Sequence, residues 1–142
     1  MTPWSVVQLG RSQGWEEFTT SHPLSPKPVR GKRFLTDDLA LTGMEVSVNR
    51  LPAGRVVPFL HRHRHHEELY VFLDGDGEFF ADGERIPVTA GTAIRVAPPV
   101  ARSWRSTGDT PLVYLVIQAT EGTLAAHTFA DGEPCGGNPW QD

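Results

Sequence analysis

The sequence predicts an all-β chain folded as an antiparallel sandwich or barrel. Short apolar segments with period-two alternation recur about every ten residues, and Gly, Pro and Asp residues separate them. This pattern is typical of antiparallel sheets, whereas alternating helices and strands would indicate a parallel sheet. The length of 142 residues suits one domain with a single core that is large enough to enclose a ligand cavity.

Nine segments are predicted strands because they combine this alternation with β-branched and aromatic residues. They are residues 32–35, 43–51, 56–59, 69–74, 77–81, 84–88, 93–96, 101–105 and 112–118. Residues 74–77 and 82–83 supply Asp and Gly for hairpin turns, and the prolines in 52–54 and 97–99 end strands by withholding a backbone donor. Helix is scarce, and the one helical turn predicted is Thr36–Leu39, with Thr36 as its cap.

The two ends of the chain are irregular. Residues 1–31 are predicted to form an arm that lies over the barrel, and residues 121–142 form a tail rich in Gly and Pro. Either segment could exchange with a neighbouring subunit, because open sheet edges must be covered.

Composition excludes several classes of protein. The 13 basic and 17 acidic residues give a mildly acidic chain without a basic stripe, so nucleic acid is not an expected partner. Cys135 cannot form an internal disulfide, and no apolar run is long enough to span a bilayer or to act as a signal peptide. We therefore expect a cytoplasmic protein without a membrane partner.

Four of the six histidines lie between positions 61 and 66, and Glu67 and Glu68 follow them. In a strand, alternate side chains share a face, so His61 and His63 should converge beside Phe59 while Arg62 and Arg64 point away. Two imidazoles and a carboxylate are ligands for divalent iron, manganese, zinc, nickel or copper. The sequence therefore predicts a transition-metal site formed by His61, His63 and Glu68.

These residues resemble the first sequence motif of the cupin superfamily. The chain reads His61-x-His63, four residues, Glu68, six residues, Gly75, and Gly54 stands one residue farther upstream than the motif prescribes. Residues 83–106 resemble the second motif, with Pro87, Gly91 and Pro98 in place. The last two positions of that motif, normally His and Asn, are Arg102 and Ser106.

The resemblance covers residues 40–118, and what it implies is a single-domain double-stranded β-helix, a jelly-roll barrel around a pocket, usually a homodimer, with metal at the pocket mouth. The fourth metal ligand of a typical cupin is absent, because Arg102 stands in its place. Three outcomes are open: Glu68 lies close enough to screen both cations, Arg102 turns away from the ion and binds an anionic group of the substrate, or Arg102 replaces the metal and pairs with Glu68. We expect the second outcome.

Other residues near the predicted site carry weaker signals. Trp104, Phe59 and Tyr70 are expected to line the ligand pocket together with Arg102, although aromatic residues on strands are more often plain core. His65 and His66 are expected in a solvated loop, with a supporting role for one of them as the alternative. His22 and His127 are expected to be surface or arm residues.

The leading hypothesis is a metal-binding cupin that acts on a small anionic metabolite by oxygenase or isomerase chemistry, although the residues do not establish that it is an enzyme. One alternative is a non-catalytic small-ligand or sensor module, possibly metal-free with Arg102 paired to Glu68. Another is a metal-free sugar epimerase-like cupin, which would need Tyr70 or Tyr114 as an acid.

Overall fold

We describe residues 2–141 of the protein from a computed structural model. Within them the chain forms one 3-10 helix over Ser12–Glu17, one α-helix (α1, Thr36–Leu39) and ten strands. The strands are β1 Thr19–Thr20, β2 Val29–Arg30, β3 Lys32–Phe34, β4 Glu45–Leu51, β5 His66–Asp74, β6 Asp76–Ala81, β7 Glu84–Thr89, β8 Ala93–Val96, β9 Arg102–Ser106 and β10 Leu112–Thr120. The predicted all-β fold class is confirmed.

Two antiparallel sheets face each other. The larger has the order β3-β4-β10-β5-β8 and the smaller has the order β7-β6-β9, while β1 and β2 form a separate hairpin. Between the sheets lies an apolar core whose members alternate with outward-facing residues along the strands. Its buried members are Tyr70, Phe72, Phe79, Val88, Val96, Trp104, Leu112, Tyr114 and Val116.

A second apolar cluster lies on the outer face of the larger sheet. Trp15 from the N-terminal arm packs there with Leu35, with Val48 of β4 and with Val113 of β10, and all four are buried. Val46 and Val48 of β4 therefore face the arm, whereas Leu51 at the end of the strand packs on the core between the sheets. Because strand neighbours point to opposite faces, Ser47 and Asn49 of β4 are turned inward, where both are 1% exposed.

Gly31 joins the β1–β2 hairpin to β3 under a tight steric constraint. Its φ is +76°, and a Cβ atom at this position would lie 2.1 Å from the carbonyl oxygen of Arg50. The Arg50 amide donates to the Gly31 carbonyl at 2.8 Å. Glycine at this position is what lets β3 lie directly against β4, with Lys32 opposite Asn49.

The predicted strand at 56–59 is wrong. This segment is held against β9 only at intervals, by an isolated bridge between Val56 and Arg105 and another between His61 and Arg102. Pro58 has no backbone N–H to donate, which interrupts a continuous ladder. The remaining eight predicted strands are present, and β5 begins three residues earlier than predicted because it pairs with β10 as far as Thr120.

The predicted helical turn is present as α1, but the cap assigned to it is wrong. The N-cap residue is Leu35, and it makes no side-chain cap hydrogen bond. The hydroxyl of Thr36 is buried without a partner among the residues described. No helix in the part of the chain that the structure covers is long and apolar enough to cross a membrane.

Candidate metal centre

His61 and His63 are fixed by backbone hydrogen bonds rather than by membership of a strand. The His61 amide donates to the Arg102 carbonyl at 3.1 Å, and the Arg102 amide donates to the His61 carbonyl at 2.9 Å. The His63 amide donates to the Pro98 carbonyl at 2.9 Å. Arg62 and Arg64 are exposed while both histidines are partly buried, so the predicted alternation of faces holds despite the missing ladder.

The three predicted metal ligands converge. Nε2 of His61 lies 3.5 Å from Oε1 of Glu68, and Nε2 of His63 lies 3.2 Å from the same oxygen. The three ligand atoms all lie within 4.8 Å of one another. Glu68 is 3% exposed and comes from β5, whose pairing with β8 and β10 holds it rigidly.

The Glu68 carboxylate has two further partners. The Tyr70 hydroxyl donates to Oε1 at 2.6 Å, and Nη1 of Arg102 donates to it at 3.0 Å. Nη2 of Arg102 donates to the Ala97 carbonyl at 2.7 Å, and the residue is completely buried. Arg102 therefore acts as the counter-charge of Glu68 in this geometry.

Burial and hydrogen bonding act in opposite directions on Glu68. Burial favours the neutral acid, but the close imidazoles of His61 and His63 and the hydrogen bond from Tyr70 outweigh it and hold the pKa of the Glu68 carboxyl well below its usual range. Burial, reinforced by the charge of Glu68, raises the pKa of Tyr70. The centre thus contains an ionised carboxylate and a neutral phenol at any physiological pH.

The donor set fits a divalent transition metal. Two imidazole nitrogens and one carboxylate oxygen form the facial group that such ions accept, with positions left for other ligands. Nε2 of His63 is buried and has no hydrogen-bond partner among the described residues, as expected of an atom reserved for an ion. The Arg102 guanidinium opposes the fit, because it shares Oε1 with the ion and repels it.

The predicted pocket residues border one cavity of about 230 Å³ between the two sheets. His61, His63 and Glu68 line it together with Phe59, Tyr70 and Trp104. Tyr70 and Trp104 also belong to the core, where the Trp104 ring stacks on Phe79 with centroids 5.9 Å apart.

Arg102 points inward, as does Trp104, but its guanidinium is held by Glu68 and Ala97 and does not line the cavity. The role in substrate binding expected for Arg102 stays a prediction. Its guanidinium instead contacts Glu68, as the first and the third outcomes both require.

Sequence reasoning missed a second polar group in the cavity wall. Nζ of Lys32 donates to Oγ of Ser47 and to Oδ1 of Asn49, each at 3.0 Å. All three residues line the cavity. Burial lowers the pKa of Lys32 to about 8, although the carboxylates of Glu68 and Glu45 act in the opposite direction. A polar residue at every second position of β4 was the available signal.

His22 lies in the N-terminal arm, which is one of the two positions expected for it, but it also borders the cavity. Its ring is partly buried, lies 4.4 Å from the Phe59 ring and lines the cavity from the N-terminal hairpin. Burial, followed by the proximity of His61 and Lys32, lowers the pKa of His22. Nothing in the local sequence distinguishes it from an ordinary surface histidine.

The remaining histidines separate clearly. His65 and His127 are exposed, as expected. His66 is not in a loop, because it is the first residue of β5, where Nδ1 lies 2.7 Å from the Gln118 side-chain oxygen. Its ring stacks on His63 with centroids 6.1 Å apart, and the supporting role considered as the alternative stays a prediction.

Comparison with known proteins agrees with this geometry. A family model for the cupin domain matches residues 47–118, a range that contains His61, His63 and Glu68. The oxalate-binding protein of Thermotoga maritima is 34% identical over 117 residues, which cover 82% of this chain and 86% of that protein.

Solved structures are also similar. A cupin protein from Bacteroides fragilis is 39% identical with a TM-score of 0.71, and the match covers 82% of this chain and 97% of that chain. A predicted oxalate decarboxylase from Thermotoga maritima is 31% identical with a TM-score of 0.51, and the match covers 53% of this chain and 64% of that chain.

Proposed function

The chain belongs to the cupin family, with the double-stranded β-helix that the sequence motifs implied, and we propose that it is a metal-dependent cupin that binds a small carboxylate. The observation that carries the proposal is the convergence of His61, His63 and Glu68 on one point in the cavity wall. These three side chains would hold the ion.

Three lines of support favour a small carboxylate as the ligand. The similar proteins from Thermotoga maritima are an oxalate-binding protein and a predicted oxalate decarboxylase. A cavity of about 230 Å³ is smaller than the roughly 300–1,000 Å³ of sites for drug-sized molecules. Carboxylate oxygens are also good ligands for the open positions of a two-histidine, one-carboxylate centre.

The residues around the site would have different roles in binding the ion and the ligand. A bound ion would polarise a ligand oxygen or lower the pKa of a bound water. Tyr70 keeps its proton and orients Glu68, Arg102 balances the charge of Glu68, and Phe59 and Trp104 exclude water from one wall of the cavity. We extend the proposal to turnover of the oxygenase or isomerase type, carried out at the ion on the bound carboxylate.

One observation favours a second candidate. The contact between Arg102 and Glu68 supplies a cation without any metal, as a non-catalytic ligand-binding or sensor protein would require. In that case the cavity would bind its ligand without an ion, and chelators would change neither ligand affinity nor stability.

Titration with Co²⁺ tests the proposal. The chain should bind one ion. His61→Ala and His63→Ala should each weaken Co²⁺ binding by about 100-fold or more, because losing even a residue that only hydrogen-bonds to a metal ligand costs roughly 10–100-fold in metal affinity. His65→Ala is the matched control, because His65 is exposed and lies two positions after His63. This variant should bind Co²⁺ as tightly as the wild type.

Oxalate binding to the Co²⁺-loaded protein, measured by calorimetry, should disappear when a chelator removes the ion. If the wild-type chain binds no Co²⁺, or if His61→Ala and His63→Ala bind it normally, the metal-dependent function is rejected. Oxalate binding that survives chelation would establish the metal-free candidate.

A further inference from the structure

The cavity has a second charged centre, formed by Lys32, Ser47 and Asn49. Lys32 lies on β3 at the edge of the larger sheet, and β4 and β10 separate it from β5, which carries Glu68. Both centres line the same cavity. A ligand in that cavity therefore meets the metal ligands on one side and an ammonium group on the other.

The two centres differ in charge balance. Three cationic side chains of the Lys and Arg type line the cavity, and two of them contact a carboxylate: Arg30 lies 3.6 Å from Glu17 and Arg50 lies 3.2 Å from Glu16. Among the residues described, Lys32 has no carboxylate within 4.0 Å of its ammonium. A shielded ammonium without a counter-charge is unfavourable unless another group supplies one.

Two buried hydrogen-bond acceptors fix the position of the Lys32 ammonium group. Oγ of Ser47 and Oδ1 of Asn49 accept two of its three N–H donors, and both residues are almost completely buried. The Asn49 amide group donates in turn to the carbonyl and the hydroxyl of Ser47, at 3.1 and 3.0 Å, which fixes the orientation of its oxygen. The Phe34 ring, whose centroid lies 4.8 Å from Nζ, is a further contact of the ammonium. None of these three contacts is a negative charge, which an anionic group in the cavity would supply.

We propose that Lys32 binds one anionic group of a ligand whose other anionic group binds at His61, His63 and Glu68, so that the ligand is a dicarboxylate. This inference rests on the proposed function and specifies its ligand class. Three strand spacings of about 4.8 Å separate β3 from β5, and the lysine side chain spans part of that distance. A short carbon chain between the two carboxylates, as in succinate, suits the gap better than the direct bond of oxalate.

A pair of probes isolates the second carboxylate. Succinate and butyrate have the same carbon chain, but butyrate carries only one carboxylate. Calorimetric titration of the Co²⁺-loaded protein should show tighter binding of succinate than of butyrate. Lys32→Met should weaken succinate binding by about tenfold, the equivalent of one modest charged contact. It should leave butyrate and Co²⁺ binding unchanged.

The chain offers a matched control, because its only other lysine is Lys27, which is exposed on the N-terminal arm. Lys27→Met should behave like the wild type with both probes. If Lys32→Met folds poorly, Lys32→Gln removes the charge while keeping N–H donors for Ser47 and Asn49. The inference is overturned if either folded Lys32 variant keeps the wild-type ratio of succinate to butyrate affinity.

A second measurement separates this inference from the proposed function. With ¹³C-labelled lysine the protein should give two Cε signals, one for each lysine, which the two Met variants assign. Succinate should shift the Lys32 signal and not the Lys27 signal, with or without Co²⁺. If the wild-type chain binds no Co²⁺, the metal proposal fails, and the response of the Lys32 signal still decides the inference. An unmoved Lys32 signal overturns it.

Discussion

The two polar centres of the cavity differ in how their charged side chains are balanced. At the first, the buried carboxylate of Glu68 is met by Arg102, Tyr70 and two histidines of the chain itself. At the second, Lys32 contacts the neutral acceptors Ser47 and Asn49 and the uncharged ring of Phe34. The charge of the first centre is therefore balanced within the protein, whereas no carboxylate among residues 2–141 balances the charge of the second.

The difference indicates which centre selects the anion. A cation that already has a carboxylate partner gains little from a second one, and separating the buried pair would cost several kcal/mol. Lys32 has no such partner to give up. Substitutions that remove one charge at a time should therefore have opposite consequences at the two centres.

The largest effect is expected from Arg102→Met. It leaves the Glu68 carboxylate buried without its cation, so the metal-free protein should lose about 3–5 kcal/mol of the free energy of unfolding. The same variant should bind Co²⁺ more tightly, because no guanidinium competes for Oε1, and the ion should restore stability. Urea unfolding with and without Co²⁺ measures both effects.

Arg95→Met is the control for this prediction. Arg95 also bridges two carboxylates, Glu67 and Glu121, but its side chain is 58% exposed. Exposed pairs contribute about 0.2–1 kcal/mol, so the control should change stability little. A loss at Arg102 no larger than the loss at Arg95 would contradict the view that the first centre is charge-balanced by Arg102.

An intermediate effect is expected at the backbone that supports Lys32. Gly31→Ala forces a Cβ atom to within 2.1 Å of the Arg50 carbonyl oxygen and places a side chain at a φ of +76°. Gly83→Ala has a similar φ of +79°, but no atom lies within 4 Å of the new Cβ. Gly31→Ala should therefore cost about 1–3 kcal/mol more than Gly83→Ala, the usual penalty of overpacking.

Thermal or urea unfolding of the two alanine variants measures this difference. Equal losses of stability would mean that β3 shifts without cost, and the fixed position of Lys32 would then be in doubt.

The smallest effect is a dependence of stability on pH. The pKa of Lys32 in the folded chain is about 8, below its ordinary value of 10.5. Below pH 8 both states hold the proton and the cost of the buried charge is constant. Between these two pKa values the unfolded chain binds more protons, so the stability of the wild type should rise with pH relative to Lys32→Met.

Unfolding of the two proteins at a series of pH values checks the slope. Glu68, Glu45 and His22, the titratable groups near Lys32, are present in both, so the difference between the curves reports Lys32 alone. Parallel curves would show that the ammonium is not shielded from water.

The contrast between the centres also explains what the sequence could predict. His61, His63 and Glu68 lie within eight consecutive positions and match a motif, so a local pattern was enough to identify them. Lys32, Ser47 and Asn49 meet only through the pairing of β3 with β4. Strand pairing is not visible in a single sequence, and a lone lysine at the start of a predicted strand looks like a solvated residue.

The direction in which β4 faces was a further obstacle. Alternation shows that a strand has two unlike faces, and the usual assumption is that the apolar face is turned inward. In β4 the arm covers the apolar face from outside, so the polar face lines the cavity. The wrong prediction of a strand at 56–59 has another cause, because Pro58, which interrupts the ladder, is visible in the sequence itself.

The position of Trp104 has a practical consequence. Its indole ring is 8% exposed, and its centroid lies 5.9 Å from that of His61, while Trp4 and Trp140 are largely exposed. Trp15 is equally buried, but it packs on the outer face of the larger sheet. A paramagnetic ion held by His61 would therefore quench the fluorescence of Trp104 more than that of the other tryptophans. Tryptophan fluorescence would therefore report how much of the His61, His63 and Glu68 site holds an ion, without any added label.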